Sequence, residues 1–82
     1  MTEWTVRADY DAEARHWYVC DSDVPGLSTG AKSLEALAAK LPSMIAELID
    51  HNAHLILDKT RLTGPHNLRL VAHHETSRAI AA

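Results

Sequence analysis

Four aspartates, Asp9, Asp11, Asp21 and Asp23, crowd the first third of the sequence. Acids this close together are the raw material of a two-metal phosphodiester hydrolase, where carboxylates hold divalent ions around the attacking and leaving oxygens. Their contexts point elsewhere. Asp9 alternates away from Trp4 and Val6, and Asp11 and Asp23 stand in turn settings where a carboxylate accepts from nearby backbone N–H groups. Capping and solvation account for all four, so catalysis is the remoter reading. His51, His54, His66, His73 and His74 supply imidazoles that suit zinc, nickel or copper. Neighbouring strand residues point to opposite faces, however, so His73 and His74 do not close on one ion. Surface histidines and no metal site are expected. Cys20 is the only cysteine, which excludes an intrachain disulfide. Beside Asp21 and Asp23 and without a neighbouring cation, its thiolate is disfavoured, and a small buried hydrophobe is expected. There is no Ser-His-Asp arrangement and no glycine-rich phosphate loop. The residues point to a protein that is not an enzyme and carries no cofactor.

These residues need elements to place them. Trp4, Val6, Ala8 and Tyr10 alternate with Thr5, Arg7 and Asp9, which predicts a strand over residues 3–10. After a short polar link, residues 16–20 form a second strand, with Trp17 and Val19 on one face and His16, Tyr18 and Cys20 on the other. Trp4 and Trp17 are expected to pair across this hairpin. Pro25-Gly26 signals a type II turn, and Leu27-Ser28-Thr29 leaves room for a short third strand before Gly30. Ser33 is placed as an N-cap, and Glu35 suits the positive end of a helix dipole. Leu34, Leu37, Leu41, Met44 and Leu48, with Ala38, Ile45 and Ile49, recur at helical spacing and keep their phase across Pro42. One helix kinked near Leu41 is favoured over two, with Asn52 as its stop. Residues 53–66 fit a helix extension, a fourth strand or a packed loop equally well. Residues 67–74 alternate again, Leu68, Leu70 and Ala72 against Arg69, Val71 and His73, and form the last strand. The tail to Ala82 is expected to fray or to serve a neighbouring subunit. The order β-β-β-α-β describes an α+β fold: one antiparallel sheet with a helix over one face.

The totals agree with a single domain. The chain has 82 residues, a net charge of −3 and no Phe. A domain of this size buries only about 60% of its unfolded surface. The negative charge speaks against direct nucleic-acid binding. Acids dominate residues 1–23 and bases residues 59–82, as suits an oppositely charged partner or a solvated hairpin. No apolar run reaches the ~20 residues of a membrane span, and no leader pattern opens the chain. A cytoplasmic protein is expected.

Several blocks in order carry a resemblance. Asp9-Tyr10-Asp11, Ala12-Glu13-Ala14 and Trp17 precede Ser22-Asp23-Val24-Pro25-Gly26-Leu27. Ser33-Leu34-Glu35-Ala36-Leu37, Lys40-Leu41-Pro42, Glu47-Leu48 and Asn52 follow. Together they resemble the HicB-like antitoxin superfamily, most closely its short single-domain branch. The likeness runs from about Glu3 to Asn52 and more loosely over Asn67–Ala79. It implies a partial RNase H-like fold and a protein that neutralises a small HicA-type mRNA interferase by covering its active-site histidine. Full-length members append a helix-turn-helix or ribbon-helix-helix domain, for which residues 67–82 leave no room, so residues 1–82 are expected to form one domain without promoter binding.

A sheet with one covering helix has a second face to account for. The Trp4/Trp17 face is expected under the helix, so Tyr18 and Val71 on the other become candidates for an oligomer interface. Asp9, Asp11, Tyr18 and Asp23 are the candidates for contact with a small basic toxin ribonuclease. A homodimer or higher homo-oligomer is expected. The alternative is a stand-alone oligomeric module of the same fold with no toxin partner.

Overall fold

The structure, a computed structural model, describes residues 2–73. The readings that fall on His74 and on the tail to Ala82 lie outside the described residues. The chain runs β1 (Thr2–Asp11), β2 (His16–Ser22), β3 (Gly30–Ala31), α1 (Leu34–His51), two short 3₁₀ turns (Ala53–Leu55 and Lys59–Leu62) and β4 (His66–His73). The strands form one sheet in the order β3-β2-β1-β4.

The sheet is mixed, which corrects the antiparallel expectation. β2 is antiparallel to β1 and β3 to β2, but β4 is parallel to β1, with Thr2 opposite His66 and Ala8 opposite Ala72. The cause is the helix. α1 returns the chain along the length of the sheet, so β4 starts from the same end as β1. Strands joined through a helical crossover are parallel.

Strand β1 is central, and its alternation fixes the core. Trp4, Val6 and Ala8 are buried beneath Leu37, Leu41, Ile45 and Ile49 of α1, with Val24 and Ile56 closing the sides. Those four helix residues recur every fourth position, the stripe that a helix lays on a sheet. Ser33 caps the helix, its Oγ accepting from Ala36 N at 3.0 Å, and Asn52 ends it, its N–H donating to Leu48 O. α1 continues without a break through Pro42, whose ring lies on the exposed side.

The hairpin register differs from the expected aromatic pair. Tyr10 is opposite Trp17, with ring centroids 5.2 Å apart, while Trp4 lies toward the other end of β1 beside Leu68. A register shift between Arg7 and Ala8 leaves Cys20 as the extra residue of β2.

The third strand also moves. It comprises Gly30–Ala31 rather than residues 27–29. Gly30 joins the sheet instead of ending it because a Cβ there would lie 2.6 Å from the Trp17 carbonyl oxygen. Only glycine lets β3 approach β2 so closely. Lys40 Nζ reaches down from α1 to donate to Gly30 O. The turn before it is as expected: Gly26 has φ +80, and Leu27 N donates to Val24 O at 3.3 Å.

Two stability changes follow. Leu41→Ala should cost about 2–5 kcal/mol, because Leu41 is fully buried and its site is walled by the sheet. Gly30→Ala should cost about 1–3 kcal/mol by forcing β3 from β2. Denaturant titration followed by circular dichroism measures both.

Candidate functional site

The face of the sheet away from α1 has no second layer among the described residues. Along it, Tyr18 stands opposite Asp9, Arg7 lies between Asp21 and Val71, and Arg69 is opposite Thr5. Tyr18 is 41% exposed. Arg7, Val71, Thr5, Asp21, Ser22 and Asp23 border a shallow depression of about 280 Å³. Arg7 and Arg69 form no ion pair among the described residues. The surface is flat, of mixed charge, and has one aromatic side chain standing on it.

Cys20 belongs to this face, which corrects its expected burial: its side chain is exposed. The strand alternation that puts Trp17 and Val19 beneath the helix turns Tyr18 and Cys20 outward. Its Sγ lies 3.4 Å from Arg7 O. Local desolvation, then the charge of Asp9 and a hydrogen bond with that carboxylate, raise the thiol pKa above its ordinary value. The thiolate is therefore scarce at neutral pH.

The predicted acids do not converge. Asp11 closes the hairpin turn, its Oδ1 accepting from Glu13 N at 3.1 Å and Ala14 N at 3.3 Å. Asp23 sits toward the opposite end of β1, where Oδ1 accepts from Thr5 N at 2.9 Å and Oδ2 from Arg61 Nη2 at 3.0 Å. Asp9 and Asp21 stand between them on different strands, and no three acids, histidines or cysteines of the described residues gather closely enough to hold an ion. Of the candidate partner residues, Asp9 and Tyr18 share the central face with Val71, the oligomer-interface candidate, whereas Asp11 and Asp23 mark its two ends.

Arg61 and His66 have a role that no sequence signal announces. Arg61 Cζ lies 4.1 Å from the centre of the Trp4 ring, and Nη2 also donates to Glu3 O at 2.8 Å. Trp4 Nε1 donates to His66 Nδ1 at 3.0 Å, which leaves Nε2 as the protonated imidazole nitrogen. The indole is thus satisfied although Trp4 is only 1% exposed. This clasp, with the buried Ile56, accounts for the segment between α1 and β4: a largely exposed connection with two 3₁₀ turns, anchored at a few points, that ties the end of α1 to the start of β1.

A second concavity lies on the helix side. Between α1 and β4 runs a cleft of about 340 Å³, lined by Trp4, Pro42, Ile45, Ala46, Ile49, His66, Asn67 and Leu68. On the other side α1 is tied down by Lys40 on Gly30 O and by Asn52 Nδ2 on Pro25 O at 3.2 Å. Leu68 and Leu70 of β4 are only half-buried, and Ala72 is exposed.

Asp9→Asn removes the repulsive charge beside Cys20. The thiol pKa should fall, and modification by a disulfide reagent at neutral pH should accelerate in proportion to the added thiolate. Arg61→Ala should cost about 1 kcal/mol, since its cation–π contact and its ion pair with Asp23 are both partly exposed. Thermal melts of the two variants against the parent check that only the second loses stability.

Comparison with known proteins agrees with the fold just described. A crystal structure of a hypothetical protein from the extremely thermophilic bacterium Thermus thermophilus is 38% identical and superposes with a TM-score of 0.71, covering 93% of this chain and 99% of that one. No curated protein matches the sequence. No described helix is long and apolar enough to cross a membrane. The model of a domain family of unknown function, DUF1902, matches residues 3–81, and the chain therefore belongs to that family.

Proposed function

We propose that this protein is a non-enzymatic protein-binding module of the HicB-like antitoxin kind, acting in the cytoplasm by masking a small basic HicA-type mRNA interferase. The observation that carries this reading is the uncovered sheet face, where Tyr18 stands exposed opposite Asp9. A flat surface with an aromatic anchor and interspersed charges suits the cover of another protein better than the enclosure of a small substrate. Asp9 and Tyr18 form the centre of the contact, with Asp11 and Asp23 at its ends. Asp23 is already committed to Arg61 and Thr5, so its contribution is to hold the rim in shape. The order of sequence blocks from Asp9 to Asn52 supports the antitoxin likeness.

A second reading is a stand-alone oligomeric module of the same fold without a toxin. The outer edge of β4, with no further strand beside it among the described residues, favours it.

Co-expression with the product of the adjacent reading frame, followed by tagged pull-down and growth rescue, decides between them. Masking predicts a stable complex and rescue. Tyr18→Ala or Asp9→Lys should then weaken the complex by about tenfold or more, the loss expected when an interface anchor is removed. Absence of both complex and rescue would reject the masking reading and leave the second.

A further inference from the structure

We infer that two copies of this chain join through the outer edge of β4, antiparallel about a two-fold axis at Leu70, with the cleft beside α1 closed by the pairing. The inference rests on the self-association reading above and is independent of toxin masking.

The backbone shows which groups are free. Thr2 N donates to Pro65 O at 3.0 Å while Thr2 stands opposite His66 in the parallel ladder. In such a ladder a residue bonds to the neighbours on either side of its opposite number. Pro65, Asn67, Arg69 and Val71 therefore turn their backbone groups toward β1. Leu68, Leu70 and Ala72 turn theirs outward, where the strand order supplies no partner among the described residues. The same three residues point their side chains toward the helix layer, into and alongside the apolar cleft. One incoming strand would thus satisfy a row of donors and acceptors and bury half-exposed leucines in a single step. An edge in this state is a template for pairing.

Charge and overlap select the register. A two-fold axis at Arg69 would set that guanidinium directly against the partner's Arg69, and like charges so opposed are destabilising. An axis nearer either end pairs a shorter stretch. At Leu70 the row closes on itself: Leu70 meets the partner's Leu70, and Leu68 meets the partner's Ala72. On the open face Arg69 meets the partner's Val71, whose side chain is apolar. Both helices then lie on one side of a continuous eight-stranded sheet, flanking the merged clefts. Exposed Pro42 and Ala46 are small enough to let them approach. About the Leu70 axis seven residues, 67–73, pair along an edge about 23 Å long, and the helix layer above the sheet widens the contact.

Size-exclusion chromatography with light scattering on the full chain, across a concentration series, tests the interface. The parent should have the mass of a dimer. Ala46→Glu, which places a charge in the cleft without weakening the helix, should raise the dissociation constant at least about tenfold. Ala72→Pro, which removes an outward N–H at an exposed position, should do the same. Circular dichroism should show both variants still folded. The register has its own signature: Val71→Glu, set against the partner's Arg69, should tighten the dimer, whereas Val71→Lys should weaken it. A dimer that survives both Ala46→Glu and Ala72→Pro overturns the inference. If that dimer dissociates instead on Tyr18→Ser, the interface is the open face and self-association stands without this geometry. A monomer at every concentration overturns both.

Discussion

Burial of one strand beneath one helix is the constraint from which the rest of this structure follows. Trp4, Val6 and Ala8 are sealed under Leu37, Leu41, Ile45 and Ile49. At about 1.5–3 kcal/mol for each large side chain fully withdrawn from water, these contacts are a principal source of favourable free energy in so small a domain. They require β1 to be central, since only a strand flanked on both sides lies under the middle of the helix. They also require α1 to run the length of the sheet. From that length comes the parallel return of β4, and with it the mixed topology.

A single helix does not cover four strands evenly, and the unevenness has a direction. Lys40 on Gly30 and Asn52 on Pro25 tie α1 down on the β3 side. There the glycine-tight approach of β3 to β2 gives a compact edge. On the other side β4 keeps a half-covered inner face. The loop from Ala53 to Pro65 compensates at one end only, where Arg61 stacks on Trp4 and His66 accepts from its indole. Beyond that clasp the layer thins into the cleft. The concavity lies opposite these polar ties, and core residues Trp4, Ile45 and Ile49 form part of its wall.

Much of this is legible in the sequence, because two periodicities and a few caps are strong. The β1 alternation identifies Trp4, Val6 and Ala8 as the inward face, the helix stripe names all four buried residues of α1, and Ser33 and Asn52 mark its ends correctly. What escapes are properties set by register and topology. Alternation tells which residues share a face but not which strands are neighbours or in what direction they run. The expected Trp4–Trp17 pair is thus Tyr10–Trp17 in the structure, and β4 is parallel. Gly30 reads as a breaker in the sequence because its close approach to Trp17 is a tertiary fact. An inside place for Cys20 follows from residue type alone, although its own parity with Tyr18 already puts it on the outer face. Residues 53–66 carry no periodicity at all, since two separated aliphatic anchors, Ile56 and Leu62, and one arginine hold them rather than a repeated face.

The parallel pairing also alters what the charge distribution means. Along the sequence, acids gather before residue 24 and bases after residue 58. That separation suggests a molecule with an acidic and a basic end. In space β4 lies directly against β1, so Arg69 and Val71 come beside Thr5 and Arg7, two residues from Asp9. On the open face Arg7 and Arg69 interleave with Asp9 and Asp21, so the signs mix at its centre, while Glu3, Asp11 and Asp23 stand toward its ends. Mixing of the signs weakens the field at the centre of such a surface and leaves its acidic ends to attract a basic protein from a distance. Its selectivity must act at contact, through the position of each charge around Tyr18, where a mismatched partner would leave an arginine or an aspartate buried without its counter-ion. The proposed partner of this face would therefore be recognised by the pattern of charges as well as by their sum, which is a narrower requirement than the sequence alone suggests.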